Sequence, residues 1–390
     1  MAAMAIVFGA LVMAQPASVD AAVKRHTVAA GNSLWEIAKR YHVTVEAICI
    51  KNGIEEDDPI KPGQVLLIPE PGEKPRPPPG KSSDKSDKDK KDERDSQKDW
   101  SKRKPDASTQ TQKSSAERGG INPCLSPDPG WGVYDHWSRA PSVGQMIAPQ
   151  RGGISAGNFD LVVHFHGHDA VRKEWVRVMN GPVLVGIDLG IGSGPYEAMF
   201  RSAANFDKLI ASVEEEMARR HGLKRARVRK LGLSAWSAGY GAVGEILRHR
   251  KFLYRVDSVV LLDGLHAGYD GDSLNATQME PFVAFAREAR AGRKFMFVSH
   301  SSIIPVGYAS TTETVNYLIA KLGGRPSPAR PRSGDPWGLE LISRYDRGNF
   351  HARGFRGNDK MDHCAHIGLY RDVLKVHIKN RWNSPRGYAK

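Results

Sequence analysis

Trp236-Ser237-Ala238-Gly239-Tyr240-Gly241 is the stretch best suited to do chemistry. The apolar run VRKLGLSA leads into it and an amphipathic run follows. A serine at a sharp strand-to-helix turn needs small neighbours two residues away on each side, and Ala235 and Gly239 supply them. Such a turn lifts the hydroxyl over a sheet and aims helix-terminal N–H groups at a developing oxyanion. A serine hydroxyl is a weak nucleophile alone and needs a base. Histidine serves because it titrates near neutrality. A carboxylate must then fix the imidazole tautomer and stabilise the imidazolium. Downstream, VDSVVLLDG ends at Asp263, and MDHCAHIGLYRDVL offers His363 and His366 just before the last helix. This reading makes Ser237 the nucleophile and Asp263 the acid, with Asp270 and Asp272 as alternatives in the same loop. His366, which immediately precedes the helix, is the expected base, and His363 is the alternative.

A second constellation competes. LVVHFHGHD places His164, His166 and His168 at alternate positions. Continued strand geometry would put all three on one face, where they could hold a zinc ion. The segment is similar to the H-x-H-x-D-H signature of metallo-β-lactamase-like hydrolases, with Asp and His exchanged in order. The preferred reading has no metal and no cofactor, and gives the three histidines separate places: one inward, one on an oxyanion loop, one on the surface. His300-Ser301-Ser302 ends the strand after Asp263 and belongs to the same sheet edge.

The order Ser, Asp, His, with a His-Gly pair after an earlier strand, resembles the α/β-hydrolases over roughly residues 159–382. The resemblance implies an oxyanion hole made by the N–H of Ala238 with that of Gly167 or His168. That family more often carries its acid after the next strand. Here that strand ends in FVSHSSIIP with no carboxylate, which leaves the role to Asp263.

The elements that must position these groups can be read from apolar runs. LVVHFHG, VLVGIDLG, VRKLGLSAWS, VDSVVLLDG and KFMFVSHSS read as buried parallel strands. Residues 199–221, 238–250, 276–291 and 311–322 read as helices between them, and LELISRYD as a later strand before a final helix over 369–382. This alternation predicts an α/β fold with a doubly wound, mostly parallel, α/β-hydrolase-like sheet in residues 121–390.

The first 120 residues are of another kind. HTVAAGNSLWEIAKRYHVTVEAICIKNGI and the closing IKPGQVLLIP resemble the LysM module across residues 26–69. The resemblance implies a small β-α-α-β domain that binds peptidoglycan or another N-acetylglucosamine-containing glycan. It implies a groove lined by Gly31, Asn32, Ser33, Leu34, Ile60, Lys61 and Pro62. Trp35 and Ile37 read as core. Residues 70–120 hold 14 basic and 11 acidic residues and almost no apolar ones, the composition of a disordered linker. Residues 1–21 carry a short apolar run followed by small residues, as a secretory signal peptide does.

The formal net charge of +14 sits mainly in residues 121–390, with 37 basic against 25 acidic residues. No nucleic-acid reader motif accompanies the basic run Arg219 to Lys230, which reads as a solvated face. No segment of the mature chain is expected to span a membrane. Of the three cysteines, Cys124 and Cys364 could pair in an exported protein, and Cys49 reads as a buried thiol. The expectation is an exported serine hydrolase of the periplasm or cell envelope, cleaving esters or amides and held to peptidoglycan by a LysM module. The alternatives are a wall-binding protein whose hydrolase-like fold lacks catalysis, and the zinc hydrolase.

Overall fold

The computed structural model describes residues 24–29, 34–41, 43, 45–54, 60–61, 63–70, 123–139, 142–305, 307–330, 337–357 and 359–383. The signal-peptide and linker expectations therefore lie outside the described residues. The chain divides into two compact units, 1–85 and 86–390.

In the first unit, β1 (Lys24–Thr27) and β2 (Val65–Ile68) pair antiparallel, with α1 (Leu34–Tyr41) and α2 (Val45–Asn52) between them in sequence. Val28, Leu34, Ile37, Ala38, Ile48, Cys49, Leu66 and Ile68 form the core. The Asn52-Gly53 pair has a structural use. The Asn52 amide donates to the carbonyls of Ile48 (2.7 Å) and Leu67 (2.8 Å), and its Oδ1 accepts from the Leu67 N–H (2.7 Å). One side chain thus ties α2 to β2, while Gly53 takes the left-handed φ of 63° that ends the helix. Leu34, expected along the glycan groove, is 5% exposed and packs into the core instead. Ile60 is half-buried and Lys61 exposed, whereas Gly31, Asn32, Ser33 and Pro62, with the Trp35 side chain, lie outside the described residues.

The second unit is built on a ten-stranded sheet. Its elements, in chain order, are β3 (Ser138–Arg139), β4 (Gln145–Ile147), β5 (Asn158–Phe165), α3 (His168–Trp175), β6 (Val183–Ile187), α4 (Ser193–Phe200), α5 (Ala203–Arg220), β7 (Arg227–Trp236), α6 (Tyr240–Arg248), α7 (Arg250–Arg255) and β8 (Ser258–Leu262). There follow the small hairpin β9 (Tyr269–Asp270) and β10 (Ser273–Leu274), then α8 (Ala276–Arg290), β11 (Phe295–Ser301), α9 (Thr311–Lys321), β12 (Ser327–Pro328), β13 (Leu341–Arg347), β14 (Phe350–Phe355), α10 (Lys360–Ala365), α11 (Leu369–Val373) and α12 (Lys379–Asn383).

The strand order is β12-β13-β14-β11-β8-β7-β5-β6-β4-β3. The six central strands, β14 to β6 in that order, pair parallel; the outer pairs on both sides are antiparallel. The fold is α/β with a mostly parallel, doubly wound sheet. β5, β6, β8 and β11 are buried along nearly their whole length because helices cover both faces. The chain leaves β5 for β6 on one side and returns to β7 on the other, so the order reverses at β5 and β7. Ligands of such sheets bind at the carboxyl ends of the strands at that reversal.

Several elements, α3 among them, were not expected from the sequence, and three differences bear on how the elements are built. The helix expected over 199–221 is two helices, because Ser202 adopts an extended conformation (φ −86°, ψ 121°) at the start of α5. The helix expected over 238–250 begins after a 3-10 turn at Ser237–Gly239 and is followed by a separate α7. Finally, β14 was not expected as a strand. Its burial alternates, with Phe350, Ala352 and Gly354 inward and His351 and Arg353 half-exposed.

Candidate active site

The site sits at the carboxyl ends of β5, β7, β8 and β14. Among the described residues, four non-glycine residues have positive φ, and three of them are here: His166 (70°), Ser237 (49°) and Asp263 (41°). Each directly follows a strand or lies one residue beyond it. Strained backbone of this kind persists where the surroundings enforce it, and it gathers at functional sites.

Ser237 follows β7 and opens the 3-10 turn that runs into α6. The small neighbours are needed for steric reasons. A Cβ on Gly239 would strike the Phe165 carbonyl at the end of β5. Ala235 is fully buried and in register with Phe165. On the other side, a Cβ on Gly264 would lie 2.6 Å from the Ser237 nitrogen, so the loop that carries Asp263 packs directly on the serine turn.

Asp263 is 1% exposed, and four donors reach its carboxylate. Oδ1 accepts from the Ser301 N–H (2.8 Å) and Thr311 Oγ1 (2.7 Å); Oδ2 accepts from Ser301 Oγ (2.9 Å) and His363 Nδ1 (2.8 Å). Thr311 is the first residue of α9, so the positive end of that helix also favours the ionised form. Burial alone would push this carboxyl up. In the acid range where the carboxyl would take up a proton, the attraction of the neighbouring imidazoles, that of His366 foremost, and the hydrogen bonds outweigh burial and hold the carboxyl well below its ordinary range.

His363, on α10, donates from Nδ1 to Asp263, which leaves Nε2 as the acceptor nitrogen. Its ring stacks on that of Trp236 (centroids 4.8 Å apart, 28° between planes), and Trp236 Nε1–H donates to the His363 carbonyl (3.2 Å). Since Trp236 immediately precedes Ser237, the stack brings the imidazole to the serine turn. The His166 ring also stacks on Trp236 (5.2 Å, 16°).

His366, the expected base, does not occupy that position. It is completely buried. Its Nδ1 meets Ser299 Oγ at 2.8 Å, and its Nε2 stands 3.9 Å from Asp263 Oδ2, beyond hydrogen-bond reach. Burial lowers it to about 4 despite the nearby Asp263 charge, so the ring is neutral at physiological pH. Of the two histidines it is the alternative, His363, that bonds to Asp263, and its side chain keeps 22% exposure. Asp270 and Asp272, the alternative acids, are exposed on the β9–β10 hairpin.

In the loop expected to supply an oxyanion donor, one of the two candidate N–H groups is already bonded. The Gly167 N–H donates to Asp188 Oδ1 (2.7 Å) and is occupied. Asp188 Oδ2 pairs with Nδ1 of His168. Burial opposes the charge on His168, but this bond and the Asp188 charge outweigh it and raise its pKa. His168 begins α3 and Ala238 follows the serine, so their N–H groups sit at the start of a helix and of a 3-10 turn. Glycine is required at 167 because φ is 74° and a Cβ would meet the Trp236 ring at 2.8 Å. Asp188, which organises this loop, escaped the sequence reading; its position at the end of VLVGID, on the strand beside β5, was the available signal.

The three alternating histidines do not converge. His164 is fully buried; its Nε2 donates to the His166 carbonyl (2.7 Å) and its Nδ1 accepts from Ser234 Oγ (2.8 Å). Burial lowers it to about 3. His166 turns away at its positive φ and meets the Tyr196 hydroxyl (3.0 Å), while His168 is taken by Asp188. Among the described residues, no group of three or more His, Cys, Asp or Glu side chains is arranged to hold a metal ion. His300 is likewise buried and bonded to Thr312 Oγ1 (2.8 Å), a structural placement.

Comparison with known proteins adds the following. Residues 26–69 match the LysM domain family. Among curated proteins, none matches this chain. Among solved structures, the chain is similar to an uncharacterised protein from Capnocytophaga ochracea, with 12% identity, TM-score 0.38, and 62% of this chain and 63% of that one covered. It is similar to the acylaminoacyl peptidase of Pyrococcus horikoshii (11% identity, TM-score 0.36, covering 62% and 42%). It is also similar to the lipase BlEst2 of Bacillus licheniformis (14%, TM-score 0.27, covering 61% and 94%). The chain thus spans less than two thirds of the first two structures. Likenesses this distant carry no functional argument, which has to come from the site itself. No helix among the described residues is long and apolar enough to cross a membrane.

Proposed function

We propose that the protein is an exported serine hydrolase that cleaves an ester or amide bond at the cell wall. The observation that carries this reading is the Asp263–His363 pair, held beside the strained Ser237 turn by the Trp236 stack. In the proposed reaction His363 Nε2 takes the Ser237 proton as Oγ attacks the substrate carbonyl. Asp263 holds the Nδ1 proton and stabilises the imidazolium. The N–H groups of Ala238 and His168 receive the oxyanion. Collapse expels the alcohol or amine, which takes the proton from His363, and leaves an acyl group on Ser237. Water, deprotonated by the same imidazole, then releases the acid and restores the serine. A Ser237→Ala protein that hydrolyses a broad ester panel at the wild-type rate would refute the assignment.

The LysM module, whose family binds N-acetylglucosamine-containing glycans, supports this location. The full chain should be retained on purified peptidoglycan sacculi in 0.5 M salt, where screening within about 4–5 Å suppresses attraction by the basic second unit. Soluble N-acetylglucosamine oligomers should elute it. Retention that vanishes at that salt would leave charge as the only link to the wall and would overturn the glycan-binding reading.

A further inference from the structure

Residues 123–130 lie just ahead of the sheet and touch both sides of the proposed site. At one end, Cys124 forms a disulfide with Cys364, 240 residues away in sequence and with 5.0 Å between Cα atoms. Cys364 is 4% exposed and is the immediate neighbour of His363 on α10. The remainder of the segment is fastened to α3 and to Arg177 just beyond it. The Asp128 carboxylate takes both Nη1 (2.7 Å) and Nη2 (2.6 Å) of Arg172, whose side chain is 5% exposed. The Gly130 carbonyl accepts a further bond from Arg172 Nη1 (2.8 Å). The carbonyls of Ser126 and Pro127 accept from Lys173 Nζ (2.9 Å) and Arg177 Nη2 (3.0 Å). The Trp131 ring, just beyond the segment, lies under the Arg172 guanidinium at 4.3 Å.

The two helices joined in this way carry opposite halves of the machinery. α3 begins at His168, whose N–H is one proposed oxyanion donor, and α10 carries the proposed base. They arise from β5 and β14, which are separated in the sheet by β7, β8 and β11. Apart from a 4.0 Å approach of Arg371 to Glu174, α3 meets the turns that follow α10 through apolar side chains: Val171 and Trp175 of α3 share a cluster with Ile367 and Tyr370. Such packing fixes proximity more than orientation. A bidentate Arg–carboxylate pair and a covalent bond fix orientation as well.

We propose that residues 123–130 form a strap that sets the geometry between the oxyanion loop and His363, with Cys124, Cys364 and Asp128 as positioning residues. Full turnover then depends on an intact Cys124–Cys364 bond. This inference rests on the serine-hydrolase reading for its kinetic consequence, while the mechanical hold can be measured without it.

The test uses the full chain before and after treatment with a small dithiol. The dithiol becomes its own cyclic disulfide as the Cys124–Cys364 bond is replaced by two thiols. Thiols titrated after denaturation should rise from one, Cys49, to three. At a temperature where the reduced protein remains folded, kcat should fall about 10- to 100-fold, the penalty of an ångström-scale misplacement. KM should stay within about twofold, and reoxidation should restore the rate. Amide exchange should accelerate in residues 360–365 while β7 and β8 stay protected. A Cys124→Ser/Cys364→Ser protein should behave as the reduced chain. Should either form unfold, Asp128→Ala, which leaves the disulfide in place, is expected to lower kcat and to speed exchange in residues 168–175. Three titrated thiols with kcat within about twofold and unchanged exchange would overturn the strap, as would an Asp128→Ala protein equal to wild type in both. An oxidised chain that turns over no substrate and has an unreactive Ser237 would instead remove the hydrolase reading. Exchange in 360–365 on reduction would then decide the strap by itself.

Discussion

Replacement of His363 by alanine is expected to lower kcat by about four orders of magnitude or more, because a serine nucleophile without its base keeps only the contributions of the oxyanion hole and binding. The companion change separates the two histidines of this segment. His366→Ala is expected to leave kcat within about tenfold of wild type and to destabilise the fold by about 2–4 kcal/mol, the cost of a core cavity and a lost buried hydrogen bond. The reason lies in the bonds each ring makes. His363 Nδ1 is engaged by Asp263, which directs its other nitrogen outward. His366 is fully buried against Ser299 and held neutral. Steady-state kinetics with a chromogenic ester and chemical denaturation of both variants provide the check. A His366→Ala protein that is as stable as wild type but inactive would return the base role to His366.

Asp263→Asn should be nearly as damaging to the rate, by about 10⁴-fold, because an amide in place of the carboxylate no longer favours the tautomer with hydrogen on Nδ1. The same change has a signature in stability. The carboxyl of Asp263 is held below its unfolded value, near 3.9, so the folded state prefers the ionised form. Between the two values the unfolded chain binds more protons, and stability rises with pH. The stabilisation from this group is complete above the unfolded value and is lost as pH falls through the folded one. Melting temperatures of wild type should therefore drop more steeply from pH 5 to pH 3 than those of Asp263→Asn. Parallel curves would contradict the lowered carboxyl.

The serine turn could be read from sequence because its demands are local. A strained left-handed serine needs small residues at fixed offsets, and Ala235 and Gly239 announce them. Asp263 could be read because an apolar strand ending in Asp-Gly leaves its carboxylate at the sheet edge. The choice between His363 and His366 could not. Both lie within one turn of chain, and what separates them is which ring nitrogen can reach Asp263, a matter of side-chain direction in three dimensions. The zinc alternative failed for a related reason. Alternation along a strand predicts one face only while the strand continues, and β5 ends at Phe165, so His166 turns aside at φ 70°. β14 was hidden because its outward positions carry His351 and Arg353, which interrupt the apolar run. The alternation of Phe350, Ala352 and Gly354 is plain once the neighbouring strands are known. Asp188 was passed over because its partners, Gly167 and His168, lie about twenty residues earlier and meet it only through the β5–β6 pairing.

The most direct test of the central claim is reaction of the folded protein with a fluorophosphonate, followed by peptide mapping of the adduct. One phosphonyl group is expected on Ser237, formed slowly or not at all in His363→Ala and Asp263→Asn proteins and at a near wild-type rate in His366→Ala. An unlabelled Ser237 in the folded chain, or an adduct on a different serine, would contradict it.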